Sequence, residues 1–286
     1  MRLSRRADLI LRGLSGLTLA FIYIPLLIIF IYAFNTSKVL EWPPPGLTLE
    51  WFGDALTNEG ARDAFLLSLR VAALATIVAL ILGTLASMAV ARYSFFGRET
   101  ISFLVILPIA LPGIVTGVAL NSTFTEFLGI GLSLFTVVVA HATFCIVVVY
   151  NNVVARFRRL SGSLEEASAD LGATPWTTFR RVTLPNLQTA LVAGGLLAFG
   201  LSFDEIIVTT FTAGAGQQTL PLWIFQNFSR PNQLPIVNVV AVLVILLSII
   251  PVYLAHRLTR EEGGATPAGG GRAEGRAAQA EGLTAP

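Results

Sequence analysis

The chain holds one lysine, one cysteine and two histidines in 286 residues, and each scarcity closes a class of function. A phosphate-binding loop of the form GxxxxGK[ST] needs a lysine behind a glycine-rich turn. The sole lysine, Lys38, stands instead in Asn35-Thr36-Ser37-Lys38, so no such cradle exists here. Cys145 alone can form neither an internal disulfide nor a CxxC metal site. Lying inside an apolar run, it reads as a packing residue. His141 and His256 stand apart, and no cluster of His, Cys or acidic residues has catalytic or metal-ligand spacing. No catalytic residue, metal site, bound cofactor or nucleic-acid partner is therefore expected. Charge is scarce as well: 13% of residues are charged, against about 25% in ordinary globular domains.

What fills the space is apolar. Hydrophobic residues make up 54% of the chain and mean hydropathy is +0.74. They fall in long runs, which places the chain in a bilayer with lipid as its surroundings. A span needs roughly 20 predominantly apolar residues. Six stretches qualify, at about 14–34, 65–91, 101–121, 133–154, 190–211 and 236–256. In lipid such runs satisfy their backbone groups only as helices. The expected fold is therefore an all-α membrane protein of six transmembrane helices. The first run is longer than a signal-peptide core and no small-residue cleavage site follows it, so it reads as a retained helix.

Basic residues give the orientation. One set of loops carries Arg2, Arg5, Arg6, Arg12, Arg92, Arg98, Arg156, Arg158, Arg159, Arg180, Arg181, Arg257, Arg260, Arg272 and Arg276. The opposite set carries only Lys38, Arg62, Arg70 and Arg230. The positive-inside rule then places both termini in the cytoplasm. Pro43-Pro44-Pro45 and the mixed segment around Trp51 predict a stiff entry and a short interfacial helix in the first outer loop. Pro108 and Pro112 interrupt the third span most heavily, which suits either a helix facing a pathway or a structural kink. Residues 1–260 form the expected transmembrane domain. The stretch 261–286, rich in Gly, Ala, Arg and Glu, has too little apolar surface to fold.

The 155–189 loop carries the most specific signal. Ser163-Leu164-Glu165-Glu166 fits a capping box that opens a short helix, with Ala167, Ser168 and Asp170 continuing it and Gly172 ending it. Thr174 and Pro175 open a second helix at once, and Trp176, Phe179 and Val182 line one of its faces. Glu166-Ala167-Ser168, Gly172 and Val182-Thr183-Leu184-Pro185 resemble the EAA loop of permease subunits in binding-protein-dependent ABC importers, at every interval of that motif. Ser168 and Val182 are mild departures. The resemblance implies a type I importer fold in a bacterial inner membrane, with Glu166 docking onto a cytoplasmic ABC ATPase dimer that holds ATP and Mg. It also implies a second permease subunit and an extracytoplasmic solute-binding protein.

Trp51-Phe52, His141-Ala142-Thr143-Phe144-Cys145, the run Leu201 to Val208 and Thr219-Leu220-Pro221-Leu222-Trp223 resemble the spermidine/putrescine-type branch. That resemblance implies a polyamine cargo, with gamma-aminobutyrate or another small amino compound as the alternative. Asp204 and Glu205, deep in the fifth predicted span beside Phe203, are ionisable groups in an expensive place. Three readings stay open: attraction of a cationic cargo, an ion pair with Arg70 or a partner permease, or a wet vestibule. Pro108, Pro112 and His141 complete the predicted pathway residues. A secondary transporter, the competing class, would show inverted internal repeats, and the two halves show no such similarity.

Overall fold

A computed structural model describes residues 4–262, and among them every regular element is a helix. The predicted unfolded stretch 261–286 lies, from residue 263 on, outside the described residues. The elements are α1 (Arg5–Tyr32), α2 (Glu50–Thr57), α3 (Glu59–Arg92), α4 (Arg98–Ala110), α5 (Gly113–Ser122) and α6 (Leu134–Phe157). They continue as α7 (Ser163–Asp170), α8 (Pro175–Thr178), α9 (Leu184–Phe203), α10 (Ile207–Thr212), α11 (Leu220–Asn227) and α12 (Leu234–Glu262). The chain forms one unit as far as Ser248 and a second from Ile249 on; the core and both candidate sites lie in the first.

Among the described residues four helices are long and apolar enough to cross a membrane, and five if the bent pair α4–α5 counts as one span. α12 runs 29 residues, Leu234–Glu262, and carries the apolar stretch Leu234–Ile249. The interruption at Pro112 is a true break: α4 and the segment Gly113–Phe127 meet at 106°. Leu111 is extended, as a residue before proline prefers, and Pro112 then caps α5.

The fifth predicted span differs from its expectation as a single helix over 190–211. α9 starts earlier, at Leu184, stops after Phe203, and α10 resumes at Ile207. The cause is local. The Glu205 carboxylate accepts the Val208 N–H at 2.9 Å, satisfying a free donor at the start of α10. Asp204 and Glu205 thus stand at a helix break, at the far end of the 20-residue, ~30 Å α9, and not within a continuous helix.

Three helices build the core of the bundle. The buried face of α3 repeats every three or four residues through Ala64, Ser68, Ala72, Ala75, Ala79, Gly83 and Ser87, nearly all small. In lipid such faces let backbones approach closely, and packing replaces the hydrophobic drive. A Cβ on Gly83 would lie 3.0 Å from Val149, and one on Gly194 would lie 3.3 Å from the Val149 Cα. Val149 of α6 is therefore wedged between glycines of α3 and α9. The Ser87 hydroxyl adds a bridge, 2.6 Å from the Gly83 carbonyl and 3.1 Å from that of Tyr150 on α6. The Cys145 thiol donates to the Ala198 carbonyl at 3.3 Å, consistent with its reading as a packing residue.

A second cluster gathers the end of α1, α2, the start of α3, α11 and the start of α12 around Ala33, Ala61, Trp223 and Val239. The two broken helices also meet. A Cβ on Gly117 of α5 would lie 2.8 Å from the Phe211 ring, and the Asn121 amide donates to the Phe211 carbonyl.

Replacing Gly83 by valine should lower stability by about 1–3 kcal/mol through overpacking. Gly200→Ala, where the added carbon meets nothing within 4 Å, serves as the control. Thermal unfolding in detergent measures both; equal midpoints would show that the α3–α6 approach is not limiting.

Candidate functional site

The motif loop folds nearly as its sequence predicts, with one correction at its start. No capping box forms at Ser163. α7 begins one residue earlier, with Gly162 in the cap position, its carbonyl accepting the Glu165 and Glu166 N–H groups. The Ser161 hydroxyl, not that of Ser163, covers a free donor, the Ser163 N–H at 3.2 Å. Glu166 is thereby released from reaching back. At its other end α7 closes as a Schellman turn: Ala173 N–H bonds to the Ser168 carbonyl and Gly172 N–H to the Ala169 carbonyl. Gly172 has φ +80°, a conformation glycine adopts without penalty.

Thr174 caps α8 with its hydroxyl, and Pro175 takes the first helical position. A single π-turn, Phe179–Thr183, then leads into α9. Val182 sits in that turn, half-buried, while Leu184 and Pro185 are exposed at the start of α9. The π-turn carries the Leu184 N–H to the Phe179 carbonyl five residues back. Such bulges accommodate a proline that could not continue an ordinary helix. The Arg156 guanidinium bonds to the Asn186 carbonyl at 2.9 Å, pinning the end of α6 to the start of α9.

The loop presents one set of side chains outward and turns another inward. Glu166, Ala167 and Asp170 are exposed, with Leu164 beside them; Leu171 is 90% and Trp176 68% exposed. Ser168 faces inward and bonds to the Thr178 hydroxyl at 2.9 Å. Glu165 also turns inward. Its carboxylate lies 2.9 Å from Arg92 Nε and accepts the Thr183 hydroxyl at 2.8 Å. Sequence reading counted Arg92 only as a positive-inside charge and gave Thr183 no role.

The second constellation surrounds the break after α9. Asp204 is exposed on the wall of a cleft of about 440 Å³, with Phe203, Ile224, Phe225 and Phe228 among its neighbours. Glu205 is half-buried, and one of its carboxylate oxygens accepts the Val208 N–H. Arg70 pairs with neither acid among the described residues: it lines a separate cleft of about 500 Å³ with Asp63, Gln217 and Gln218. Pro108 lies half-buried within α4, and Pro112 is exposed at the start of α5. The aromatic wall from α11 and the turn after it was not anticipated, because Phe225 and Phe228 carry no motif.

His141 lies behind the break and has no exposed surface. Its Nδ1 is 2.8 Å from the Ser202 hydroxyl on α9, and its Nε2 is 2.9 Å from the Thr209 hydroxyl on α10. Thr209 donates its one proton to the Glu205 carbonyl at 2.9 Å, so its oxygen must accept from histidine. The network thereby assigns the ring hydrogen to Nε2 and leaves Nδ1 to accept from Ser202. One imidazole thus braces both sides of the break.

These two constellations, an exposed short helix on a loop and a broken span beside a largely apolar cleft that carries one carboxylate, belong to a multi-helix membrane subunit. The family model for the binding-protein-dependent transport system inner membrane component matches residues 79–261, and the chain belongs to that family. It is a permease subunit of an ABC importer and a multi-pass protein of the inner membrane.

The chain is 35% identical to the putrescine transport system permease protein PotI of Escherichia coli over 84% of its own length and 89% of that protein. It is 32% identical to the spermidine/putrescine transport system permease protein PotC of Haemophilus influenzae, over 85% and 93%. Among solved structures, a bacterial ABC transporter that imports the acidic polysaccharide alginate shares the fold. Its TM-score is 0.69 at 17% identity, covering 91% of this chain and 99% of that one.

Substituting His141 by leucine should strand the Ser202 hydroxyl and cost about 1–3 kcal/mol. His141→Gln, which keeps a donor and an acceptor, should lose less. Thermal unfolding in detergent compares the three proteins, and a leucine variant as stable as the parent would remove the brace.

Proposed function

We propose that this subunit forms half of a pathway for polyamines such as putrescine or spermidine, and is driven by a separate ATPase that docks on α7. The observation that carries the coupling half is the division of the loop: α7 is anchored inward through Glu165 and Ser168, while Glu166, Leu164 and Leu171 face out. A helix anchored on one side and exposed on the other can pass a partner's movement into the bundle as rigid-body displacement. ATP and Mg belong to that partner, and this chain binds no cofactor and catalyses nothing. Six spans in a type I arrangement, with α12 as the sixth, fit the apolar runs, and the distribution of arginines favours both termini in the cytoplasm. A second permease subunit supplies the other half of the pathway, and an extracytoplasmic solute-binding protein delivers the cargo.

The cleft at Asp204 supports the polyamine reading. Asp204 stands where α9 ends, so its carboxylate adds to the negative end of the helix dipole. Phe203, Phe225 and Phe228 offer faces that attract ammonium groups and cover methylene chains. Such a site favours a flexible cation over an anion or a sugar. The permease relatives named for putrescine and spermidine point the same way. Of the two acids Asp204 is the contact, since Glu205 is engaged with the start of α10.

Two outcomes test these halves. In the reconstituted transporter, Asp204→Asn should reduce putrescine uptake and substrate-stimulated ATPase about tenfold, equivalent to about 1.4 kcal/mol of lost attraction for the cation. Glu205→Gln should do less, and uptake unchanged in both variants would sink the cation-selecting role. Glu166→Ala should remain in the membrane yet lose bound ATPase and ATP-driven uptake; undiminished uptake would remove Glu166 from the docking role.

A further inference from the structure

The two adjacent glutamates of α7 are built for different work. We infer that Glu165, ion-paired with Arg92 and hydrogen-bonded by Thr183, is an internal strut that carries movement of the motif loop into the core helices, while Glu166 is the acid left for the ATPase. The inference rests on the docking role proposed for α7.

The geometry ties one carboxylate to the ends of all three core helices. Arg92 is the last residue of α3, and its Nε lies 2.9 Å from one Glu165 oxygen, an ion-pair contact made without a hydrogen bond from that N–H. The other oxygen accepts the hydroxyl of Thr183, a buried residue immediately before α9. The Arg92 guanidinium in turn sits 5.0 Å over the ring of Phe157, the buried last residue of α6. A cation at the C-terminus of α3 is also favoured by the helix dipole. Arg92 and Glu165 are 21% and 25% exposed, whereas the Arg12–Asp8 pair is 76% and 45% exposed. Salt therefore screens the inner pair less.

Among the described residues, no other side-chain bond or ion pair from α7 reaches a core helix or the turn before α9; Ser168 bonds only to Thr178 on α8. At Gly172, which ends α7, an added Cβ would meet nothing within 4 Å. Without the strut, α7 would be held by side chains only through Ser168 to α8, and would shift with α8 when pushed. With it, a push on α7 is delivered to α3 and α9 together, and α9 ends at the cleft that holds Asp204. Arg92 and Glu165 are positioning residues: they touch neither ATP nor cargo.

The test uses the whole transporter, with its ATPase, second permease and binding protein, reconstituted with Glu165→Gln, Arg92→Gln, or the swap Arg92→Glu with Glu165→Arg. Each single variant should retain the ATPase at the parental ratio through purification, yet import roughly tenfold less putrescine per ATP hydrolysed. The swap should recover much of that ratio, which a merely structural loss would not. Thr183→Val, which removes one arm and leaves both charges, should show a smaller loss of the same kind. Loss of bound ATPase in Glu165→Gln would overturn the inference by making Glu165 a docking residue. So would an unchanged import-to-ATP ratio in the single variants, or a swap no better than they are. Failure of the docking role itself would appear elsewhere, as ATPase still bound to the Glu166→Ala protein.

Discussion

Helices in lipid gain nothing by hiding apolar side chains from one another, so the α3–α6–α9 bundle depends on how closely its backbones can approach. Val149 between Gly83 and Gly194 sets that approach, and the other features are mounted on it. Because three helices are locked into one body, a force applied at their shared end can appear at the other. A bundle of bulkier side chains would hold its helices farther apart, and its members could slide past each other. Under the proposed coupling, close packing serves transmission as well as stability.

Two spans depart from this regularity, and both departures have polar causes. α4 and α5 part at Leu111-Pro112, where proline cannot continue the helix. α9 and α10 part at Asp204-Glu205, where a carboxylate takes over a backbone donor. Non-helical backbone at membrane depth is tolerated only against protein or water-filled space. Here the broken halves pack on each other through Gly117 and Phe211, while His141 satisfies hydroxyls on both sides of the second break. At the second break the Asp204 carboxylate makes no side-chain hydrogen bond or ion pair among the described residues, and it faces a cleft.

Much of this was legible in the chain. Apolar run lengths located the helices, and glycine and proline located the turns of the motif loop, because those signals depend on neighbours in sequence. The Schellman turn at Gly172 and the cap at Thr174 are of that kind. The start of α7 was misread by one residue, since Ser161 and Ser163 compete for the same role and only the path of the preceding turn decides between them. The break at Asp204 was hidden because Ile206, Ile207 and Val208 continue the hydropathy of the span. Contacts between distant segments were out of reach: nothing local to Glu165 names Arg92, 73 positions away by number, or Phe225 as a neighbour of Asp204. Arg70 looked like the natural partner of the acids by depth alone, and the fold assigns it to another cleft.

The exposed leucine and tryptophan on the motif loop have a consequence for the cell. Leu171 and Trp176 project from an otherwise polar segment and gain nothing by facing water. If α7 docks as proposed, a permease made in excess of its ATPase would carry a bare adhesive patch, the kind of surface that recruits chaperones and proteases. Matched synthesis of the two subunits would then be a requirement written into this loop, and unassembled copies would be marked for removal by the same residues that make assembly tight.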